Sequence, residues 1–399
     1  MILHRASWVL PIAGPPIRDG WVAVEDGRIV AVGSGAPPEP DEPIEPIGST
    51  VILPSLVNAH THLELTWMRG AVPPAAAMPD WAAALMDRRR SQAVEPPGPI
   101  REAIGDMRAA GTGAVGDVTN TLATVQPLLE SGVWATVFFE QLGFRAAAPE
   151  GSAAAAQARI DALPQAERFR VRVVPHAPYS VSPALMRAIA NLPDAGPVSI
   201  HLGESTEEVE FLARGTGAWR TLLEALGAWD DSWTVPGCGP VEYIARAGLL
   251  SPRLIAVHGV QLTDQELARL AAARATLVAC PRSNLWTGAG MPPIDRFYAS
   301  GVRVAVGTDS LASVDDLSIF SELAALRAAA PGVPAARLLE SATRIGADAL
   351  GFGSEIGTIE PGKRASLISV RVPAGVGDVE EYLLGGVPTE DIHWLDGDR

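Results

Sequence analysis

The sequence predicts an α/β fold, a (β/α)8 TIM-type barrel with a small β-sandwich domain formed by both chain ends. Three observations predict it. Through the middle of the chain, eight short apolar runs alternate with stretches of helical period, the order that a parallel βα architecture requires. Polar, chemically capable side chains collect at the carboxyl ends of those runs, where barrel enzymes build sites from βα loops. Both ends of the chain are instead rich in turns and short β-prone segments. The expected domains are residues 1–53 for the first part of the sandwich, 54–350 for the barrel and 351–399 for the second part.

Taken in order, the first segment carries Asp26-Gly27 between two apolar runs, a strong hairpin signal. Barrel strands are expected to end near His60, Val118, Phe139, His176, His201, His258, Ala279 and Asp309. Between them, helical periodicity covers residues 100–110, 153–163, 183–191, 206–214, 264–273 and 316–329. A Pro/Ala-rich connection, residues 67–99, follows the first strand and reads either as a lid over the barrel mouth or as a passive excursion. Residues 357–370 return to turn chemistry followed by an apolar strand.

At 399 residues, 47% hydrophobic and 19% charged, the chain has ample apolar surface to bury. Its net charge of −15 argues against a nucleic-acid partner, which needs a basic face. Cys238 and Cys280 lie far apart without a CxxC pair, so neither a disulfide framework nor a thiolate zinc site is indicated, and a reducing cytoplasm is expected. The first residues lack a basic segment followed by an unbroken apolar stretch, so neither an export signal nor a membrane span is expected. The expected partner is a small molecule. Of the 31 basic residues only Lys363 is a lysine.

Five of the seven histidines fall at predicted strand ends. His60 and His62 are two apart, which on a strand places both on one face, able to chelate one ion. A bare HxH is a weak motif, equally read as two ordinary polar residues. His201 ends another strand, with Glu204 three residues on. Ser205 and Glu208 fit a capping box for the next helix and leave Glu204 in the turn above the barrel. His258 ends a further run, and Asp309 follows the most strand-like run of the chain. Each residue alone has a bland explanation in capping or solubility; four strand ends that supply His, His, His and Asp in order do not. Around them, Glu64 is a candidate for sugar hydroxyls or a ring amine, or for a lid salt bridge. Arg145 is a candidate for an anionic tail, or a surface arginine. Ser283 and Asn284 are candidates for substrate hydrogen bonds, or for shaping their loop. Cys280 reads as a small core residue.

With these residues in place the chain resembles the amidohydrolase superfamily, in particular its cytosine deaminase, chlorohydrolase and S-adenosylhomocysteine deaminase-like branch. The resemblance runs from Pro54 through Gly307-Thr-Asp-Ser to the tail. It implies His60, His62, His201 and Asp309 as metal ligands, Glu204 as the proton shuttle, His258 as the residue that orients or polarises water, and His176 as a substrate contact. The cofactor it implies is one divalent ion, zinc first, with iron or manganese as alternatives. Binuclear relatives commonly bridge two ions with a carboxylated lysine, and here Lys363 lies in the tail, far from the barrel. A bridging glutamate is formally open, but the fourth strand, residues 171–176, offers none.

Asn-Ala-His-Thr-His-Leu-Glu, Cys-Pro-Arg-Ser-Asn and Gly-Thr-Asp-Ser-Leu-Ala-Ser are similar to the corresponding stretches of aminodeoxyfutalosine deaminases and their close relatives. The implied reaction is hydrolytic deamination of an aminated heterocycle, an adenine nucleoside with a 5′ substituent of the 6-aminodeoxyfutalosine or S-adenosylhomocysteine type. Alternatives are a chlorohydrolase, another amidohydrolase acting on a triazine, guanine or cyclic amide, and, in a different class, a non-catalytic barrel scaffold. A homodimer is the family expectation.

Overall fold

The computed structural model describes residues 1–37, 48–91, 98–145, 147–193 and 196–395. Strands β1 (Ile2–Val9), β2 (Ile17–Glu25), β3 (Arg28–Ser34) and β4 (Thr50–Pro54) open the chain. The β2–β3 hairpin turns on Asp26 at φ 50° and Gly27 at φ 71°, the pair of left-handed residues that a tight two-residue turn requires.

Eight strands then alternate with helices. β5 (Leu56–Thr61), β6 (Thr112–Thr119), β7 (Trp134–Gln141) and β8 (Phe169–Pro175) form one parallel sheet in that order. β9 (Val198–Leu202), β10 (Leu254–His258), β11 (Thr276–Ala279) and β12 (Arg303–Val306) form a second. All eight expected strands are present, each within a few residues of the predicted end, and the architecture is α/β with parallel sheets. The two sheets meet at two seams. His201 N donates to His176 O at 2.9 Å where β8 adjoins β9, and Thr308 N and Asp309 N both donate to His60 O at 3.1 Å where β12 adjoins β5. They also share one apolar interior, in which Val57, Phe138 and Val174 of the first sheet pack in the same cluster as Val257, Val278 and Ala305 of the second. Cys280 is fully buried in that cluster, as a small core residue should be.

The surrounding helices bury one face each. Leu185, Met186 and Ile189 do so for Pro183–Ala190, and Leu267 and Leu270 for Asp264–Ala272, which starts at a complete capping box of Thr263 and Glu266. Among the described residues no helix is long and apolar enough to cross a membrane.

β13 (Leu367–Arg371) and β14 (Ile392–Trp394), from the other end of the chain, complete the sheet of β1–β4. The order is β14-β13-β4-β1-β2-β3, with Leu53 of β4 opposite Ile368 of β13. Among the described residues the two chain ends thus share one six-stranded sheet.

The connection after β5 contains a 3-10 turn, Leu63–Met68, and a helix, Met78–Arg90. Residues 92–97 of the expected lid lie outside the described residues. Leu65, Met68 and Trp81 pack on Ala312 and Trp286, so this connection covers the loops that follow β11 and β12.

The seam between β12 and β5 is tight at Gly307, where an added Cβ would lie 2.8 Å from both the Cβ and the carbonyl oxygen of His60. Gly307→Ala is therefore expected to destabilise the protein by about 1–3 kcal/mol, the usual range for overpacking. Thermal unfolding checks this; an unchanged Tm would mean the seam has room to spare.

Candidate active site

Four histidines and one aspartate converge at the carboxyl ends of β5, β9, β10 and β12. From the His60 ring the centroids of His62, His201 and His258 lie at 4.9, 5.0 and 5.6 Å. His62 Nε2 and His201 Nε2 are 3.3 Å apart. Asp309 Oδ1 lies 3.5 Å from His62 Nε2 and 3.9 Å from His60 Nε2. Local backbone geometry aims these groups. Val57 and Ala59 of β5 face the shared interior, and a register irregularity against β6 between Asn58 and Thr61 lets His60 reach it as well. Ile255 and Val257 of β10 also face inward, so plain alternation would turn His258 away. Its φ of +75° brings the ring back, and Asp309 has a φ of +62°. Both conformations are strained for residues with a side chain, a cost of about 1–3 kcal/mol each that only a firm surrounding structure sustains.

Burial, followed by mutual repulsion among the rings, holds His60 and His258 well below the ordinary histidine range. Burial and neighbouring charges bring His62 down to about 3 and His201 to about 4, and burial brings His176 to about 4. All five imidazoles are neutral at pH 7, with lone pairs available to a cation. Both ring nitrogens of His60 are buried without a hydrogen-bond partner. His201 Nδ1 donates to His176 O at 3.1 Å, which leaves its Nε2 lone pair facing His62. Neutral imidazoles with converging, unpartnered nitrogens fit a borderline divalent ion such as zinc. His60, His62 and His201, whose ligand nitrogens all lie within 4.8 Å of one another, thus form a possible metal site. Glu140, His176 and His201 make a second such grouping. It needs the His201 nitrogen already committed to His176 O, so the first grouping is favoured.

Glu204 stands beside this cluster, 2% exposed, with Oε2 3.6 Å from His258 Nε2 and no hydrogen bond of its own there. Burial first, then the charges of Asp309 and Glu208, push its carboxyl well above the usual range, which favours its acid form. The expected capping box forms only in half. Ser205 Oγ accepts from Glu208 N at 3.3 Å, but the Glu208 carboxylate reaches past Ser205 to accept from Gly203 N at 2.9 Å and Glu204 N at 3.0 Å. Glu208, whose own carboxyl is raised by burial to about 7, thereby fixes the turn that carries Glu204.

Ser283 and Asn284 face the cluster itself. Ser283 Oγ donates to Asp309 Oδ2 at 2.6 Å. Asn284 Nδ2 donates to His258 Nδ1 at 3.0 Å, which leaves the ring proton on Nε2, towards Glu204. The geometry thus favours loop-shaping, site-supporting hydrogen bonds for both. Glu64 is buried in a salt bridge with Arg89 of the helix Met78–Arg90, in the connection after β5, and it also accepts from Thr119 Oγ1 and from the backbone of Asn120 and Thr121. Arg145 is exposed. His176 lies next to His201, ring centroids 4.8 Å apart, with Nδ1 2.5 Å from Ser180 Oγ. One residue that the sequence did not single out belongs here: Glu140, 6% exposed, at the end of β7. Its place one residue past the expected strand end at Phe139 was the available signal.

The family model described as "Amidohydrolase family" matches residues 51–383. A 5-methylthioadenosine/S-adenosylhomocysteine deaminase from Desulforudis audaxviator is 31% identical over 93% of this chain and 85% of its own. An aminodeoxyfutalosine deaminase from Deinococcus radiodurans is 30% identical over 82% of each chain. Among solved structures, an adenosine deaminase from Xanthomonas campestris with bound zinc superposes with a TM-score of 0.85 at 29% identity, covering 100% of this chain and 92% of that one.

Proposed function

We propose, from the premise that this chain belongs to the amidohydrolase family, that it is a metal-dependent hydrolytic deaminase of an adenine nucleoside carrying a 5′ substituent. The observation that carries this reading is the meeting of three imidazoles and Asp309 beside Glu204, a buried carboxyl 3.6 Å from His258 Nε2.

In this reading His60, His62, His201 and Asp309 hold one divalent ion, zinc first, with iron or manganese as alternatives. When bound, such an ion brings the ionisation of water from 15.7 to about 7 and so makes a nucleophile available at neutral pH. Asp309, held by Ser283, accepts the proton from the attacking water. His258, fixed by Asn284, presents Nε2–H to the oxygen as it approaches the amidine carbon. Glu204 gives its proton to the adjacent ring nitrogen as that carbon becomes tetrahedral, and then, as a carboxylate, takes the proton of the newly added hydroxyl and passes it to the departing amine. The carbon–oxygen bond forms, the carbon–nitrogen bond breaks, ammonia leaves and a carbonyl remains. His176 faces the base.

The finer architecture belongs to the same proposal. The seams at His176–His201 and His60–Asp309 support closure of the two parallel sheets into one (β/α)8 barrel over residues 54–350, with residues 1–53 and 351–399 as a β-sandwich. The free thiols of Cys238 and Cys280 suit a cytoplasmic protein, and a homodimer is the assembly expected of the family.

An ammonia-release screen of the zinc-loaded protein with adenosine, methylthioadenosine, S-adenosylhomocysteine, aminodeoxyfutalosine and guanine tests the activity. Silence across the panel would reject it. Ser283→Ala removes the donor to Asp309 Oδ2, and a hydrogen bond to a charged group contributes about 1.5–3 kcal/mol. The expected result in steady-state kinetics is a fall in kcat of about 10-fold to 100-fold with the metal retained; an unchanged kcat would mean Asp309 is held adequately without it.

A further inference from the structure

Glu140 is a buried carboxylate beside the histidine cluster, and none of the chemistry above uses it. It lies on the same face of β7 as Trp134 and Phe138, which pack in the interior shared by the two sheets. Its Oε2 accepts from Asn120 Nδ2 at 3.0 Å. Its Oε1 lies 3.6 Å from His201 Nδ1, too far for a hydrogen bond, and that ring proton is donated to His176 O. A carboxylate oxygen has two lone pairs, so Oε1 retains acceptor capacity that a ligand's donor can use.

Asn120 aims this carboxylate and is itself clamped. Its Oδ1 accepts from Arg89 Nη1 at 3.0 Å and its backbone N–H donates to Glu64 Oε2 at 2.9 Å. The amide is therefore oriented with Nδ2 towards Glu140, whose second oxygen lies on the side of His201, 3.6 Å from its Nδ1. Glu64 is poorly placed to receive sugar hydroxyls, because its two oxygens are occupied by Arg89, Thr119 and two backbone N–H groups. Glu140, in contrast, keeps acceptor capacity on Oε1.

We propose that Glu140 is a substrate-recognition residue that accepts a hydrogen bond from a ribose hydroxyl of the nucleoside, with Asn120 as its positioning residue. The proposal rests on the deaminase reading above. It makes the site selective for ribonucleosides over their deoxy counterparts, because a site built to receive a hydroxyl rejects the analogue that lacks it.

The test compares kcat/KM for adenosine, 2′-deoxyadenosine and 3′-deoxyadenosine with the zinc-loaded wild type, Glu140→Gln and Glu140→Ala, with metal content and Tm measured alongside. The wild type is expected to prefer adenosine over one of the deoxy analogues by about 10-fold to 100-fold, and both variants to bring that ratio within about threefold by losing activity on adenosine alone. Because the ratio is taken on one preparation, partial misfolding cancels from it. A wild type without ribose preference, a preference retained in both variants, or an equal loss on all three nucleosides would overturn the proposal and leave the deaminase reading standing. Failure of the wild type to release ammonia from any adenine nucleoside would overturn both.

Discussion

Replacing Glu204 with glutamine is expected to lower kcat by about 10²–10⁴-fold, the usual contribution of a positioned general acid or base, while the bound metal stays in place. Glutamine has the shape of the protonated carboxyl but cannot give up or take back a proton. The residue lies 3.6 Å from His258 Nε2 and outside the grouping of His60, His62 and His201, so its loss should leave the coordinating groups intact. Burial and the charges of Asp309 and Glu208 raise its pKa and so favour the acid form needed for the first proton transfer. Steady-state kinetics with metal analysis on one sample separates the two effects. Normal turnover in this variant would remove Glu204 from the mechanism, and loss of the metal would make it a ligand.

Stripping the metal with a chelator is expected to abolish turnover, and titrating zinc back should restore it at one equivalent per chain. Each neutral imidazole offers a single lone pair once its other nitrogen is protonated, and three of them with Asp309 would suffice to hold one ion with a position left for water. A bridged pair of ions would need a further anionic ligand between them. The chain's one lysine, Lys363, is far from the site and donates to Gly353 O at 2.7 Å. Full activity appearing only at two equivalents would overturn the mononuclear assignment. The stripped protein should also unfold at lower temperature, because an ion that binds only the folded state stabilises it by mass action; differential scanning calorimetry reads the shift.

Much of this site was legible because strand ends are. An apolar run that stops at a histidine marks a strand and its carboxyl end, which makes His60, His201 and His258 stand out. The backbone devices that finish the job leave no comparable trace. Neither the irregularity near His60 nor the left-handed turn at His258 can be read from side-chain alternation, which for His258 points the wrong way. Ser283 and Asn284 were recognised as site residues, but which groups they meet depends on the rotation of the short helix Pro281–Trp286, set by packing and not by local sequence. Glu208 was read as a capping residue, and the preference of its carboxylate for Gly203 and Glu204 over Ser205 follows from a tertiary turn. Glu140 carries no such signal, because a strand-end carboxylate without a motif looks like any solvated charge until the fold buries it.

The pairing of β4 with β13 has a consequence for biosynthesis. β4 lies between β1 and β13, so one of its edges stays open until a segment from the far side of the catalytic domain arrives to cover it. During translation the nascent chain must carry that unpaired, apolar edge while the whole intervening α/β region is made, the kind of delayed long-range closure that slows folding and invites association between neighbouring polypeptides. Chains interrupted before Leu367 should therefore depend on chaperones or aggregate on release from the ribosome, even where every metal-site residue has already been synthesised.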